Sequence, residues 1–254
     1  MGFGDWVMAT ADAKRLHKET GKRVAFGDGI TPYWEPQVFM YNPKISKDGK
    51  DAVWCENYPR SRPYIKEVTK DRVVFNDDFR ASAGEIFLSP AEVSESIKKA
   101  PKEPYIVVEP HVKQRFGHAV NKSWPYWDEL IAIGDLPWLQ LGTGESLTRK
   151  LRTDTFREAM GVLRGAALFV GTDGGLHHAA AALGIPAVVI WTGFTSPKHL
   201  GYDTHVNLYA GGEPCGTLHH ACSHCRENAE SISPEEVLSS VERIYEERAW
   251  NMVA

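Results

Sequence analysis

The chain has 254 residues, 43% of them hydrophobic and 11% aromatic, with a formal net charge of −4 at pH 7. That is enough apolar material for one large domain or two small ones, and the slightly acidic balance provides no global field to gather nucleic acid or anionic membrane. No apolar run approaches the ~18 residues of a membrane span, no basic-then-apolar leader opens the chain, and the four cysteines do not resemble a secreted disulfide framework, so a reduced, cytoplasmic protein is expected.

The first expected element is a helix. Ala9, Ala13 and Leu16 recur at helical spacing, Gly21 is a natural stop, and Asp5 suits the N-cap. Residues 23–26 read as a strand. From 27 to 70 many Gly, Pro and Asn residues separate short apolar pieces at 38–41 and 52–55, and 72–75 is a further strand candidate. Ser89-Pro90-Ala91-Glu92 is a capping box opening a helix with Val93 and Ile97. The prolines and charges of 99–104 suit a linker between domains.

Beyond that linker the pattern becomes regular. Strands are expected at 105–108, 138–141, 168–170, 187–191 and 205–209. Between them lie helices at 124–133, around Phe156, Met160 and Leu163, and at 176–183. Continuous apolar strands alternating with helices point to a parallel sheet covered on both faces, an α/β fold. Ser233-Pro234-Glu235-Glu236 is a second capping box, and its helix carries Val237, Val241, Ile244 and Tyr245 on one stripe.

The segment 169–186 concentrates the chemistry. It runs strand, glycine-rich turn, helix of small residues, then the approach to the next strand. A helix N-terminus leaves N–H groups unpaired and carries partial positive charge. Gly174 and Gly175 let a ligand approach that backbone, which makes a seat for a phosphate or diphosphate. Asp173 stands at the C-terminal end of the strand, where ligands bind in open α/β sheets, and suits sugar hydroxyls better than phosphate. The plainer alternative is a turn that merely needs glycine, with Asp173 as a cap.

A second constellation is Cys215, Cys222 and Cys225, with His219, His220 and His224 interleaved. Thiolates at this spacing suit a structural zinc or iron site, or else unliganded thiols on a long loop. Cys55 could join them only if the N-terminal part folds over that loop.

Asp173, Gly175, Leu176, His178, the alanines 179–182, Gly184 and Pro186 together resemble the Asp-x-Gly-Leu-x-His signature of glycosyltransferase family 9, the heptosyltransferases. Lys122-Ser-Trp-Pro125 is similar to that family's Lys-x-Trp-Pro entry to a helix. The loop after Trp191 and the opening Gly4-Asp5 are similar to its other motifs. The resemblance implies a GT-B fold: two Rossmann-like parallel-sheet domains facing a central cleft. Residues 1–100 would form the acceptor side, 104–232 the nucleotide-sugar domain, and 233–254 a helix that could pack back on the first domain. The family places a hydrophobic strand before the Gly-Asp turn; this sequence opens at the turn, so either a first strand lies upstream of Met1 or the N-terminal domain is reduced.

By the same resemblance Asp5 would be the general base of an inverting, metal-independent transfer, in keeping with the lack of an Asp-x-Asp pair. The donor, ADP-heptose or another nucleotide sugar, would be held by Lys122, Thr172, Asp173, Gly174, Gly175, Leu176, His178, His111 and Gly142. His177 and Trp191 read more simply as core. A glycan hydroxyl is the expected acceptor. A protein or a modified nucleobase remains an alternative, the latter because of the basic stretches 113–122 and 149–157, and so does a non-catalytic nucleotide-sugar-binding module.

Overall fold

In the computed structural model, which describes residues 1–111, 117–142 and 144–253, the chain enters at once a long helix, α1 (Phe3–Thr20), that ends at Gly21. Asp5 is not its N-cap. Gly2 takes that position, and Asp5 stands in the first turn, where its Oδ2 accepts the Gly2 N–H at 2.6 Å. The carboxylate therefore satisfies an orphan donor from inside the helix rather than ahead of it.

Strand β1 (Arg23–Gly27) is followed by β2 (Pro32–Tyr33), helix α2 (Pro36–Phe39) and β3 (Ala52–Cys55). β1 is central, with β3 parallel on one side and the two-residue β2 antiparallel on the other. Of the apolar piece at 38–41, Val38 and Phe39 fall in a helical turn, because Pro36 opens it and the Glu35 carboxylate accepts the Gln37 N–H at 3.0 Å. A hairpin of β4 (Ile65–Val68) and β5 (Val73–Phe75) stands apart from this sheet. Helix α3 (Pro90–Lys99) starts with the expected box: the Ser89 hydroxyl accepts the Glu92 N–H, and Glu92 accepts the Ser89 N–H at 2.7 Å.

The remaining elements are β6 (Ile106–Glu109), a 3₁₀ turn (Gly117–Lys122), α4 (Trp127–Ile133), β7 (Trp138–Gln140), α5 (Phe156–Arg164), β8 (Leu168–Thr172), α6 (Gly175–Leu183), β9 (Ala187–Trp191), α7 (Pro197–Leu200), β10 (His205–Tyr209), α8 (Ser223–Glu230) and α9 (Pro234–Val253). Five strands form one parallel sheet in the order β10-β9-β8-β6-β7. Val107, Phe169 and Val189 bury one face with Met160 and Leu163 of α5 and the alanines of α6. Ile106, Val108, Val170 and Ile190 bury the other with α4 and α9. The sheet grows one way from β6 to β7 and the other way from β8 to β10. Its switch point thus lies between β6 and β8, the place where such sheets bind ligands.

Helix α9 packs its described core side chains on the C-terminal half. Its Val237, Val241 and Ile244 belong to the core under β6 and β8, and the Tyr245 hydroxyl donates to the Pro104 carbonyl at 3.2 Å. The stripe read from the sequence is the cover of the C-terminal sheet.

The two halves meet helix to helix. α1 packs on α6, and Phe3 stacks on Phe156 with ring centroids 4.5 Å apart. A Cβ on Gly4 would lie 2.6 Å from Cδ2 of His178, so only glycine permits this approach. Arg157 of α5, 6% exposed, donates to Glu92 of α3 and to the Phe87 carbonyl, at 2.9 and 2.7 Å from Nη2. Hydrogen bonding from Arg157, with help from Ser89, holds the Glu92 carboxyl down at about 2. This buried pair ties the first hundred residues to the second half.

Candidate functional site

β8 carries Thr172 to the switch point, and Asp173 follows it, buried. Its Oδ2 accepts from Lys122 Nζ at 2.5 Å and from the Thr195 hydroxyl at 2.9 Å. Its Oδ1 faces His178 Nε2 at 3.4 Å and His177 Nδ1 at 3.8 Å. Burial opposes the charge, yet Lys122 and the two histidines hold this carboxyl well below the usual carboxylate range. Asp173 and Lys122, expected to contact the donor separately, are thus partners of each other. A buried carboxylate needs a counterion, and Lys122 at the end of the 3₁₀ turn supplies it.

α6 begins one residue later, and no side chain caps it. Gly174 is its N-cap, leaving the N–H groups of the first turn without intrahelical partners. The side chain of Leu176 is core, so only its backbone can serve a ligand. His178 is buried; its Nδ1 meets the Tyr202 hydroxyl at 2.8 Å, which turns Nε2 toward Asp173. His177 and His205 lie behind it in a cage with Trp191 and Tyr202. None of their ring nitrogens has a hydrogen-bond partner, and burial pushes His177 down to about 3 and His205 down to about 4. Trp191 is core, its Nε1 donating to Asn207 at 2.9 Å.

Across from the α6 terminus stands the first turn of α1. Besides Gly2, the Asp5 carboxylate accepts from Tyr64 at 2.5 Å, and Arg62 donates to the same phenol oxygen at 3.3 Å. Burial and the charge of Asp5 raise the Tyr64 phenol well above its usual value, so it remains a donor. Thr195 lies in the loop after Trp191 that was read as a motif, but Tyr64, Arg62 and Tyr202 were not legible as site residues. They sit in loops whose course depends on tertiary packing.

A cavity of about 480 Å³ opens beside β6 and β7, lined by His111, Trp124, Trp127, Asp128, Glu145 and Leu147 among others. His111 Nε2 meets the Glu145 carbonyl at 2.9 Å, and Gly142 turns the chain just before it. Of the basic stretch at 113–122, residues 113–116 lie outside the described residues. Lys122 is paired with Asp173, and Arg157 of the second basic stretch is buried against Glu92.

The three late cysteines converge, their sulfurs all within 4.8 Å of one another, and Cys215 Sγ lies 3.0 Å from Cys225 Sγ. The hydrogen bond from Cys225 brings Cys215 down to about 5, whereas the shared proton and burial raise Cys225. Cys222 caps α8 and Cys225 lies in its first turn, so this region is not only loop. Gly216 docks the segment on the β5 strand: its φ is 57°, and a Cβ there would come 1.9 Å from the Val73 carbonyl oxygen. Cys55 ends β3 near Asp12 and Arg15 and is not in this cluster.

A parallel sheet with an uncapped helix at its switch point, packed against a second α/β half, is the arrangement of a GT-B fold. Residues 151–234 match the family described as glycosyltransferase family 9 (heptosyltransferase). Among solved structures, the iron-containing dodecameric glycosyltransferase TibC of enterotoxigenic E. coli aligns over 97% of this chain and 76% of its own, with TM-score 0.62 and 16% identity. A family 9 glycosyltransferase of Veillonella parvula aligns over 97% and 95%, with TM-score 0.60 and 13% identity. At these identities the likeness concerns the fold. No curated protein matches the sequence.

Proposed function

We propose that this chain transfers a sugar from a nucleoside-diphosphate donor to an acceptor hydroxyl in one inverting displacement. The diphosphate sits on the N–H groups at the start of α6, and the nucleoside occupies the cavity beside Trp124 and Trp127. Asp5 takes the proton of the attacking hydroxyl as the new C–O bond forms at the anomeric carbon. The bond to the diphosphate breaks on the opposite face, and the nucleoside diphosphate leaves with the electron pair. Lys122, shared between Asp173 and a phosphate oxygen, and the α6 N–H groups meet the growing charge, so the step is written without a metal. Asp173, freed in part from Lys122, accepts sugar hydroxyls, and His178 positions it. By the family resemblance the donor is of the ADP-heptose class and the acceptor a glycan.

The observation that carries this reading is the contact of Gly4 with His178, which sets the Asp5 turn against the uncapped α6 turn. Three converging thiols suit a structural zinc or iron whose remaining ligand comes from elsewhere. Such an ion would fasten the hairpin next to Tyr64 to the C-terminal half. Four cysteines without a disulfide suit the reducing cytoplasm, and no described helix is long and apolar enough to cross a membrane.

The test is a thermal-shift panel of ADP-, GDP- and UDP-sugars, followed by turnover with candidate acceptors and product analysis by NMR. Stabilisation by one nucleotide class and a product of inverted anomeric configuration are expected. No shift with any nucleotide sugar, or a retained configuration, overturns the reading.

A further inference from the structure

Lys122 ends the 3₁₀ turn, and its side chain crosses to Asp173. A long, flexible ammonium side chain keeps one position only if its backbone is held, and a single 3₁₀ turn is a weak anchor. The anchor is the residue before it. Asn121 is buried, and its amide directs three hydrogen bonds at one segment of the chain. Nδ2 donates to the carbonyls of Thr217 at 3.1 Å and His220 at 2.9 Å, and Oδ1 accepts the Cys222 N–H at 2.8 Å. Both amide hydrogens and the oxygen are thereby engaged. The Asn121 carbonyl in turn accepts from the Thr192 hydroxyl.

The same segment also grips the other donor to Asp173. Thr195, whose hydroxyl reaches the Oδ2 that Lys122 reaches, follows Gly193 and Phe194. The Cys215 N–H donates to the Gly193 carbonyl at 2.8 Å, and the Gly216 N–H to the Phe194 carbonyl at 3.1 Å. Lys122 Nζ lies 5.2 Å from the centroid of the Phe194 ring, within cation–π reach. Residues 215–222 are thus fastened on one side to the turn that carries Lys122 and on the other to the loop that carries Thr195. To this fastening the segment contributes main-chain groups, so its shape sets the spacing of the two donors.

We propose that Asn121 is a positioning residue: it fixes Lys122 against the segment 215–222, so that the ammonium stands between Asp173 and a phosphate of the donor. This rests on the phosphate role given to Lys122 above and adds what holds the lysine in place. Asn121 itself touches neither donor nor acceptor. Without it Lys122 keeps its charge and reach but loses the fixed direction that lets one ammonium serve two anions.

The experiment is a double-mutant cycle read by calorimetric titration of ADP, GDP and UDP. Lys122→Gln, which leaves Asp173 a neutral donor, is expected to weaken the preferred nucleotide about tenfold or more, as for a lost hydrogen bond to a charged group. Asn121→Ala is expected to weaken it about five- to tenfold in wild type. In the Lys122→Gln background the same change should cost less than about twofold, because a residue acting through Lys122 has nothing left to position. Thr192→Val removes only the hydroxyl bond to the Asn121 carbonyl and serves if Asn121→Ala does not fold. It is expected to cost about two- to threefold with the same dependence on Lys122. Equal losses in both backgrounds, or no loss from either variant, overturns the positioning role and leaves the donor site standing. Unchanged affinity in Lys122→Gln, or no nucleotide bound by wild type, overturns the phosphate role of Lys122 and this inference with it.

Discussion

The two sheets of this molecule face one cleft but are built with very different amounts of regular structure. The C-terminal sheet has five parallel strands buried on both faces, and at its switch point it sets an uncapped helix turn beside the paired side chains of Asp173 and Lys122. The N-terminal sheet has three short strands, one of only two residues, and contributes single side chains, Asp5 and, from the loop before β4, Tyr64. A rigid half can hold a ligand by fixed N–H groups. The lighter half must be held in place by docking contacts, namely α1 on α6, Phe3 on Phe156 and Arg157 on Glu92.

If that division is right, damage to each half has a different signature. The largest effect is expected from Asp5→Asn, which removes the proposed base and should lower kcat by about 10²–10⁴-fold, within the range of general-base losses. Affinity for the nucleotide, measured by calorimetry, should change little, because that site belongs to the other half. Loss of nucleotide binding in this variant would show that the halves do not divide the work this way. Next, Arg157→Leu should destabilise the chain by about 1.5–3 kcal/mol, the range for hydrogen bonds to a charged group, since it removes the partner of the half-buried Glu92 carboxylate. Hydrogen exchange should rise over residues 36–99 before it rises in the parallel sheet; uniform loss would mean the halves unfold as one.

Glu109→Gln should act in the opposite direction. Folding raises this carboxyl from 4.5 to about 8. The native state therefore holds a proton that the unfolded chain releases, and stability is lost as pH rises from 4.5 through about 8. At pH 7 the variant should gain up to about 3 kcal/mol in chemical denaturation, at about 1.4 kcal/mol per pH unit, and nothing at pH 4. A smaller effect should come from His177 and His205, which are neutral in the fold with values depressed to about 3 and 4. Here the unfolded chain gains protons first, so each histidine should cost about 1.4 kcal/mol per pH unit as pH falls below about 6.5. His205→Phe should blunt that acid loss in a melt series; an unchanged series would mean the cage is hydrated. Smallest of all, Ser89→Ala should cost about 1 kcal/mol by removing one half of a capping box.

The same contrast explains what could be read from the sequence. Expected strands at 187–191 and 205–209 coincide with β9 and β10, and 168–170 lies inside β8. Buried parallel strands are continuous apolar runs, and here each is punctuated by glycine or by a capped helix. The Asp173-to-Pro186 segment was legible for the same reason, its glycines and alanines being tied to local geometry. By contrast β2 and β4 leave no such trace: Pro32 and Tyr33 are half-buried, and in β4 Ile65 is half-buried while Lys66, Glu67 and Val68 are exposed. Asp5 was recognisable as a residue but not in its position, because Gly2, with no side chain to cap, still begins the helix. Tyr64 was invisible as a partner of the cleft, and Glu109 was legible only as the end of a strand that lines it by topology. Their positions come from side chains converging over long sequence separations, Tyr64 on Asp5 and Glu109 beside Gly142 and Gly174.

The most direct measurement is a crystal structure of the chain with the nucleoside-diphosphate sugar that stabilises it most. The account predicts diphosphate oxygens within about 3.2 Å of the Gly175 and Leu176 N–H groups, with the Asp5 carboxylate facing the anomeric carbon from the side opposite the leaving group. A diphosphate bound away from the start of α6, or on the same side of the sugar as Asp5, would contradict it.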